Sequence, residues 1–130
     1  MAHVTALYAA LFALLFLFYS VQVVRQRKSA RVSVGHNGNG RLERLARIHG
    51  NAAEYGPLIL LLMALAELQS TSIYLIHAMG IALIAGRLLH AHGMAEGDRN
   101  LPFRVAGMLL TLLCLFAGAV ILLLGVLRGL

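Results

Sequence analysis

Residues 44–58, RLARIHGNAAEYGPL, carry two arginines, a histidine, an asparagine and a glutamate up to the start of a long apolar run. In a soluble protein such a stretch is part of an amphipathic helix. In a membrane protein it is the polar mouth of a span, and its polar side chains then need partners, because hydrocarbon penalises them. The flanking sequence decides between the two. Residues 55–66 hold no charge, and after Glu67 neither do residues 68–86. Residues 4–24 and 105–127 are uncharged runs of 21 and 23 residues. At ~1.5 Å of helix rise per residue, each outer run covers a hydrocarbon core of ~30 Å.

Composition agrees with the membrane reading. The 130 residues are 60% hydrophobic and 12% charged, with a mean hydropathy of +0.82. Soluble domains are about 45–50% apolar and about 25% charged. The sequence therefore predicts an all-α integral membrane protein, a four-transmembrane-helix bundle, as a single domain over residues 1–130 with spans near 4–25, 47–69, 72–92 and 102–127. The first run has no basic residues before it, and Arg25-Gln-Arg-Lys28 follows it where a cleavage site would stand, so it reads as a retained helix. SVGHNGNG, residues 33–40, is the flexible connection. The second helix is expected to begin near Arg41, outside the hydrocarbon, and to bend at Pro57, which removes the hydrogen bond to the Ala53 carbonyl. Residues 69–72, QSTS, form a tight turn, and Pro102 suits the first turn of the last helix.

Seven of the eleven basic residues lie between Arg25 and Arg47, and Arg99 and Arg104 flank the last connection. A basic cluster can mark a nucleic-acid surface. Lying between membrane-length runs, it is better explained as an orientation signal, which puts both basic connections in the cytoplasm and both termini outside. The lone cysteine, Cys114, sits in an apolar run, which excludes an intramolecular disulfide and a cysteine-based metal cluster. His3, His36 and His92 lack metal-ligand spacing.

Arg47, Asn51 and Glu54 are spaced i, i+4, i+7 and share a helix face, with Arg44 one turn earlier. Arg87 and His90, spaced i, i+3, share a face of the third helix. The economical pairing is Glu54 with Arg87. Glu67, at the opposite end, reads as an interfacial charge, and His77 as isolated. Arg25, Arg44, Arg47, Arg87 and Arg104 come from all four helices and converge on the cytoplasmic end, opposed clearly only by Glu54. A cavity with that excess of guanidinium suits a guest carrying carboxylates, which the guanidinium fork binds bidentately.

RLARIHGNAAEYGP resembles the helix-two signature of the MAPEG family, membrane-associated proteins in eicosanoid and glutathione metabolism: Arg47, His49, Asn51, Glu54, Tyr55 and Pro57 occupy its motif positions. VVRQRK (23–28), AGRLLH (85–90) and FRVAGM (103–108) are similar to the family's other landmarks, in order, and the short loops resemble its small bacterial branch. The resemblance implies a homotrimer in a bacterial inner membrane, with glutathione bound between subunits at the cytoplasmic end. It implies conjugation to lipophilic electrophiles, reduction of lipid hydroperoxides, or isomerisation. Carried over by position, Arg44, Arg47, His49, Asn51, Glu54, Tyr55, Arg87 and His90 would hold the tripeptide. Arg25 and Arg104 would lie near its thiol, with Arg104 activating it. Two positions depart from relatives: Gly50 replaces an arginine and Met94 a tyrosine, each removing a contact to the tripeptide.

Two other classes fit the same composition. A non-catalytic membrane assembly module would use the buried polar pairs only to set association. A small four-helix multidrug transporter needs an unpaired carboxylate deep in its first helix, and residues 4–24 contain none.

Overall fold

A computed structural model describes residues 1–95 and 100–129. The chain forms α1 (His3–Ala30), α2 (Gly40–Leu68), α3 (Ile73–Ala95) and α4 (Leu101–Gly129). All four are long and apolar enough to cross a bilayer, and among the described residues there is no strand. The protein is an integral membrane four-helix bundle. Arg99, counted above among the orienting charges, lies outside the described residues.

The helices overrun the predicted spans, most visibly at the basic end, where polar residues continue the helix beyond the hydrocarbon. α1 ends only where Arg31 turns left-handed (φ 54°), and its closing turn is tied by Val32 N–H donating to the Arg27 carbonyl at 3.1 Å. The Arg27 guanidinium donates to the Gly35 carbonyl at 2.8 Å, which fastens the start of the connection expected to be free. Asn39 then caps α2, its side-chain oxygen accepting from Leu42 N–H at 2.9 Å. α2 continues through Pro57 as one helix.

Cross-contacts fix the directions of the helices. Glu67, near the end of α2, meets Val4 and Thr5 at the start of α1, so these two run antiparallel. The Tyr8 hydroxyl is hydrogen-bonded to His77 Nδ1 at 3.0 Å, which sets α3 parallel to α1 and gives His77 a partner. Gly93 of α3 lies against the backbone of Arg104 in α4, so the last two helices are antiparallel. α1 and α4 each pack on both α2 and α3.

Aromatic side chains of α1 fill notches left by glycines. A Cβ at Gly56 would strike the Phe12 ring, and one at Gly80 the Tyr8 ring. Around these lie Ile59, Met63, Ile76 and Leu83, all 0% exposed. The outward faces are equally apolar: Leu14, Leu17, Phe116 and Leu123 are each more than half exposed, as a lipid-facing surface requires.

Glu67 lies at the outer end of α2, where an interfacial charge was expected, and is in addition a built acceptor. Its Oε1 accepts from Val4 N–H at 2.9 Å, and its Oε2 from Thr5 N–H at 2.8 Å and Thr5 Oγ1 at 2.7 Å. A carboxylate from another helix thus satisfies the amides that α1 leaves open at its N-terminus.

Candidate functional site

The chemistry centres on Arg87. Its side chain is 2% exposed, the most deeply buried charge among the described residues. Nη1 donates to the side-chain oxygen of Asn51, and also reaches the Asn51 carbonyl at 3.4 Å. Nη2 donates to the hydroxyl of Thr111. Thr111 in turn donates to the Gly107 carbonyl at 2.9 Å, and Asn51 Nδ2 reaches Met108 Sδ at 4.0 Å. Tyr19 of α1 steadies the arginine from behind, its hydroxyl donating to the Arg87 carbonyl at 3.1 Å. One guanidinium therefore joins α2, α3 and α4, while its backbone is held by α1.

The expected Glu54–Arg87 pair does not form within the chain. Glu54 is exposed on α2, and Arg87 takes neutral oxygens in place of a carboxylate. Asn51 stands nearly a full turn before Glu54 and has the rotational phase that faces α3. Arg87 thus keeps its charge uncancelled by any carboxylate among the described residues, and its Nε has no hydrogen-bond partner.

His90, one turn on, is 8% exposed, and its Nδ1 also lacks a partner. The Arg104 backbone lies beside its ring. The approach is close because glycine permits it: a Cβ at Gly107 would come 2.9 Å from His90 Cα, and one at Gly86 would lie 3.0 Å from the Gly107 carbonyl oxygen. Arg104 itself is half-buried in the first turn of α4, with Nη1 3.7 Å from Met94 Sδ. That thioether accepts a weak hydrogen bond from Nη1 and leaves the charge unneutralised.

The other residues expected at the site divide. Arg47 is exposed on the same α2 face as Glu54 and lines a groove with Arg27, His36 and Glu43. Tyr55 is half-buried and packs on the core. His49 turns away to α1, stacking on Phe16 with ring centroids 4.5 Å apart. Its Nε2 lies 3.1 Å from Ser20 Oγ, and because that hydroxyl already donates to the Phe16 carbonyl, the histidine is the donor. Arg44 lines a groove with Gln22, Leu45, Ile48 and Ala95, apart from Arg87. Arg25 is exposed on α1. A Cβ at Gly50 meets nothing within 4 Å, so a side chain there would find open space.

Thr111 and Tyr19 were missed by the sequence reading. Each lies in an uncharged span where hydroxyls are common, and only the rotational phase of the helices shows that they meet Arg87.

The sequence model described as the MAPEG family matches residues 5–124, nearly the whole bundle. The chain belongs to the MAPEG family. It is also 43% identical over 105 residues to two proteins named inner membrane protein YecN, from Escherichia coli K12 and from E. coli O6:H1 strain CFT073; in each case the match covers 81% of this chain and 79% of the relative. MAPEG membership agrees with the four spans, and the family includes glutathione-dependent transferases.

Proposed function

We propose that this MAPEG protein is a glutathione-dependent transferase or peroxidase acting on lipophilic electrophiles or lipid hydroperoxides. In this reading it works as a homotrimer in a bacterial inner membrane, with the Arg87 end of the bundle and its basic connections in the cytoplasm and both termini outside. The observation that carries the reading is Arg87, a buried cation supported, among the described residues, only by neutral oxygens. Inside a bilayer such a charge costs several kcal/mol unless an anion answers it. Two buried nitrogens without a hydrogen-bond partner, Arg87 Nε and His90 Nδ1, lie in the same cluster. Arg104 adds positive charge beside His90, and Arg47 lies one turn before Asn51 on α2. The donor set fits a small molecule with more than one carboxylate.

Exposed Glu54 supplies the second part of the argument. A carboxylate on the outer face of a span needs cover from lipid, and a second copy provides it most simply. In this reading the ligand lies between that face and the neighbouring subunit.

Glutathione would supply a nucleophilic sulfur. The chain's task is then to bind the tripeptide, exclude water and hold the thiol in its ionised form. A free thiol titrates near 8.5, and each unit of lowering needs ~1.4 kcal/mol of preference for the anion. Arg104 can provide this, since its guanidinium is only half-buried, faces a neutral thioether and stands at the positive end of the α4 dipole.

The deciding experiment is thermal unfolding of the purified protein in detergent, with glutathione or with an analogue lacking its carboxylates. Stabilisation by glutathione alone supports the reading. Equal curves would leave the assembly-module reading, in which Arg87 and Asn51 only hold the helices together and Glu54 only sets association.

A further inference from the structure

A second feature lies on another side of the basic end, in the groove between α1, α2 and α3. Its deeper part is an apolar slot of about 220 Å³ lined by Phe18, Tyr19, Ile48 and Ala91 among others. Its outer part, about 270 Å³, shares Gln22, Leu45, Ile48 and Ala95 with the slot and adds Arg41 and Arg44. From Phe18 to Gln22, from Ile48 to Arg41 and from Ala91 to Ala95, all three walls advance from hydrocarbon depth toward the basic connections. The result is one continuous channel, greasy below and cationic above. Arg41 is exposed and Arg44 half-buried, and neither guanidinium has a hydrogen-bond or ion-pair partner among the described residues.

We propose that this groove is a specific site for an acidic phospholipid, its phosphate held between Arg41 and Arg44 and one acyl chain laid in the Phe18–Ala91 slot. The argument is charge complementarity at matching depth. Two guanidinium groups at the membrane surface, unpartnered among the described residues, attract a phosphate monoanion, and basic pockets between spans are where acidic headgroups bind. An acyl chain leaving the bilayer for the slot gains little transfer energy, because lipid tails are already apolar. The arginine pair therefore supplies the preference for an anion, and the slot supplies the location. This sets the groove apart from Lys28, an exposed cation of the same connection that lies outside it.

The test is native mass spectrometry of the full chain, released from detergent after titration with phosphatidylglycerol or with phosphatidylcholine of the same chains. The proposal expects retained phosphatidylglycerol and much weaker phosphatidylcholine. The double variant Arg41→Gln/Arg44→Gln should weaken phosphatidylglycerol retention roughly tenfold or more, Arg41→Gln alone by a smaller factor, and Lys28→Gln not measurably. Filling the slot with Ala91→Phe should also displace the lipid while leaving the arginines in place. Glycerol phosphate, which has the headgroup charge without chains, should not compete. Equal retention of both lipids, an equal effect of Lys28→Gln and Arg41→Gln, or full competition by glycerol phosphate would each overturn the site. Arg41 is exposed, so its single variant keeps the test open if Ala91→Phe fails to fold.

Discussion

The hydroxyl of Thr111 works in two directions: it donates to the Gly107 carbonyl one turn earlier in its own helix and accepts from Arg87 across the α3–α4 contact. A helix-internal bond that usually only saturates a threonine here leaves the oxygen lone pairs aimed at the neighbouring guanidinium. The buried charge is thus fastened to α4 by a neutral residue that could as easily have faced lipid.

Thr111→Val keeps the shape and removes that acceptor. An Arg87 donor is then left buried without a partner, which costs about 1–3 kcal/mol. Denaturant unfolding in mixed micelles should register a loss of that size. A change under about 0.5 kcal/mol, at the level of an indifferent surface substitution, would mean that the contact contributes nothing.

Gly107→Ala tests the close approach of α3 and α4. The new Cβ would lie 2.5 Å from the Gly86 carbonyl oxygen and 2.9 Å from His90 Cα, and both neighbours are backbone that cannot swing aside. The two helices must separate, at a cost of about 1–3 kcal/mol. His90 and Arg104 move apart with them, so stabilisation by glutathione should fall together with the melting temperature.

Arg104→Ala separates binding from activation. The variant should still be stabilised by glutathione, through Arg87 and Arg47, while the ultraviolet thiolate absorbance of the bound tripeptide is lost. An undiminished thiolate signal would remove Arg104 from that role.

Glu54→Gln removes the exposed carboxylate without touching the Arg87 contacts. The subunit should keep its helix content, while light scattering in detergent shows a shift from oligomer toward monomer. An unchanged mass would mean that Glu54 does not set association.

Glu67→Gln probes the cap on α1. An amide has one accepting oxygen where the carboxylate has two, and here both oxygens are engaged. The expected loss is about 0.5–2 kcal/mol, the range for removing a helix cap. Thermal melts of the variant beside Thr5→Ala, which deletes only the hydroxyl contact, should show the larger drop for the glutamate.

The bundle was legible because hydrocarbon imposes a blunt requirement: four apolar runs of sufficient length, broken by charge or turn residues. The motif on α2 was legible because Arg47, Asn51 and Glu54 are costly there and share one face. What the sequence withheld was phase. Whether Asn51 or Glu54 meets Arg87 depends on a rotation of less than one helical turn, and electrostatic economy favoured the wrong one. His49 shows the same difficulty, since its place in the motif does not reveal that its ring turns to Ser20 and Phe16. What Glu67 binds was hidden for another reason. Its partners are main-chain amides of α1, more than sixty residues away, and amides leave no trace in side-chain spacing.

That long reach bears on how the protein is made. α1 emerges from the ribosome with the Val4 and Thr5 amides bare, and it carries no acceptor of its own for them. Their acceptor arrives only when the far end of α2 has been synthesised and has crossed back. Until then those amides depend on water at the membrane surface. The finished α1–α2 pair is closed at its tip by one carboxylate.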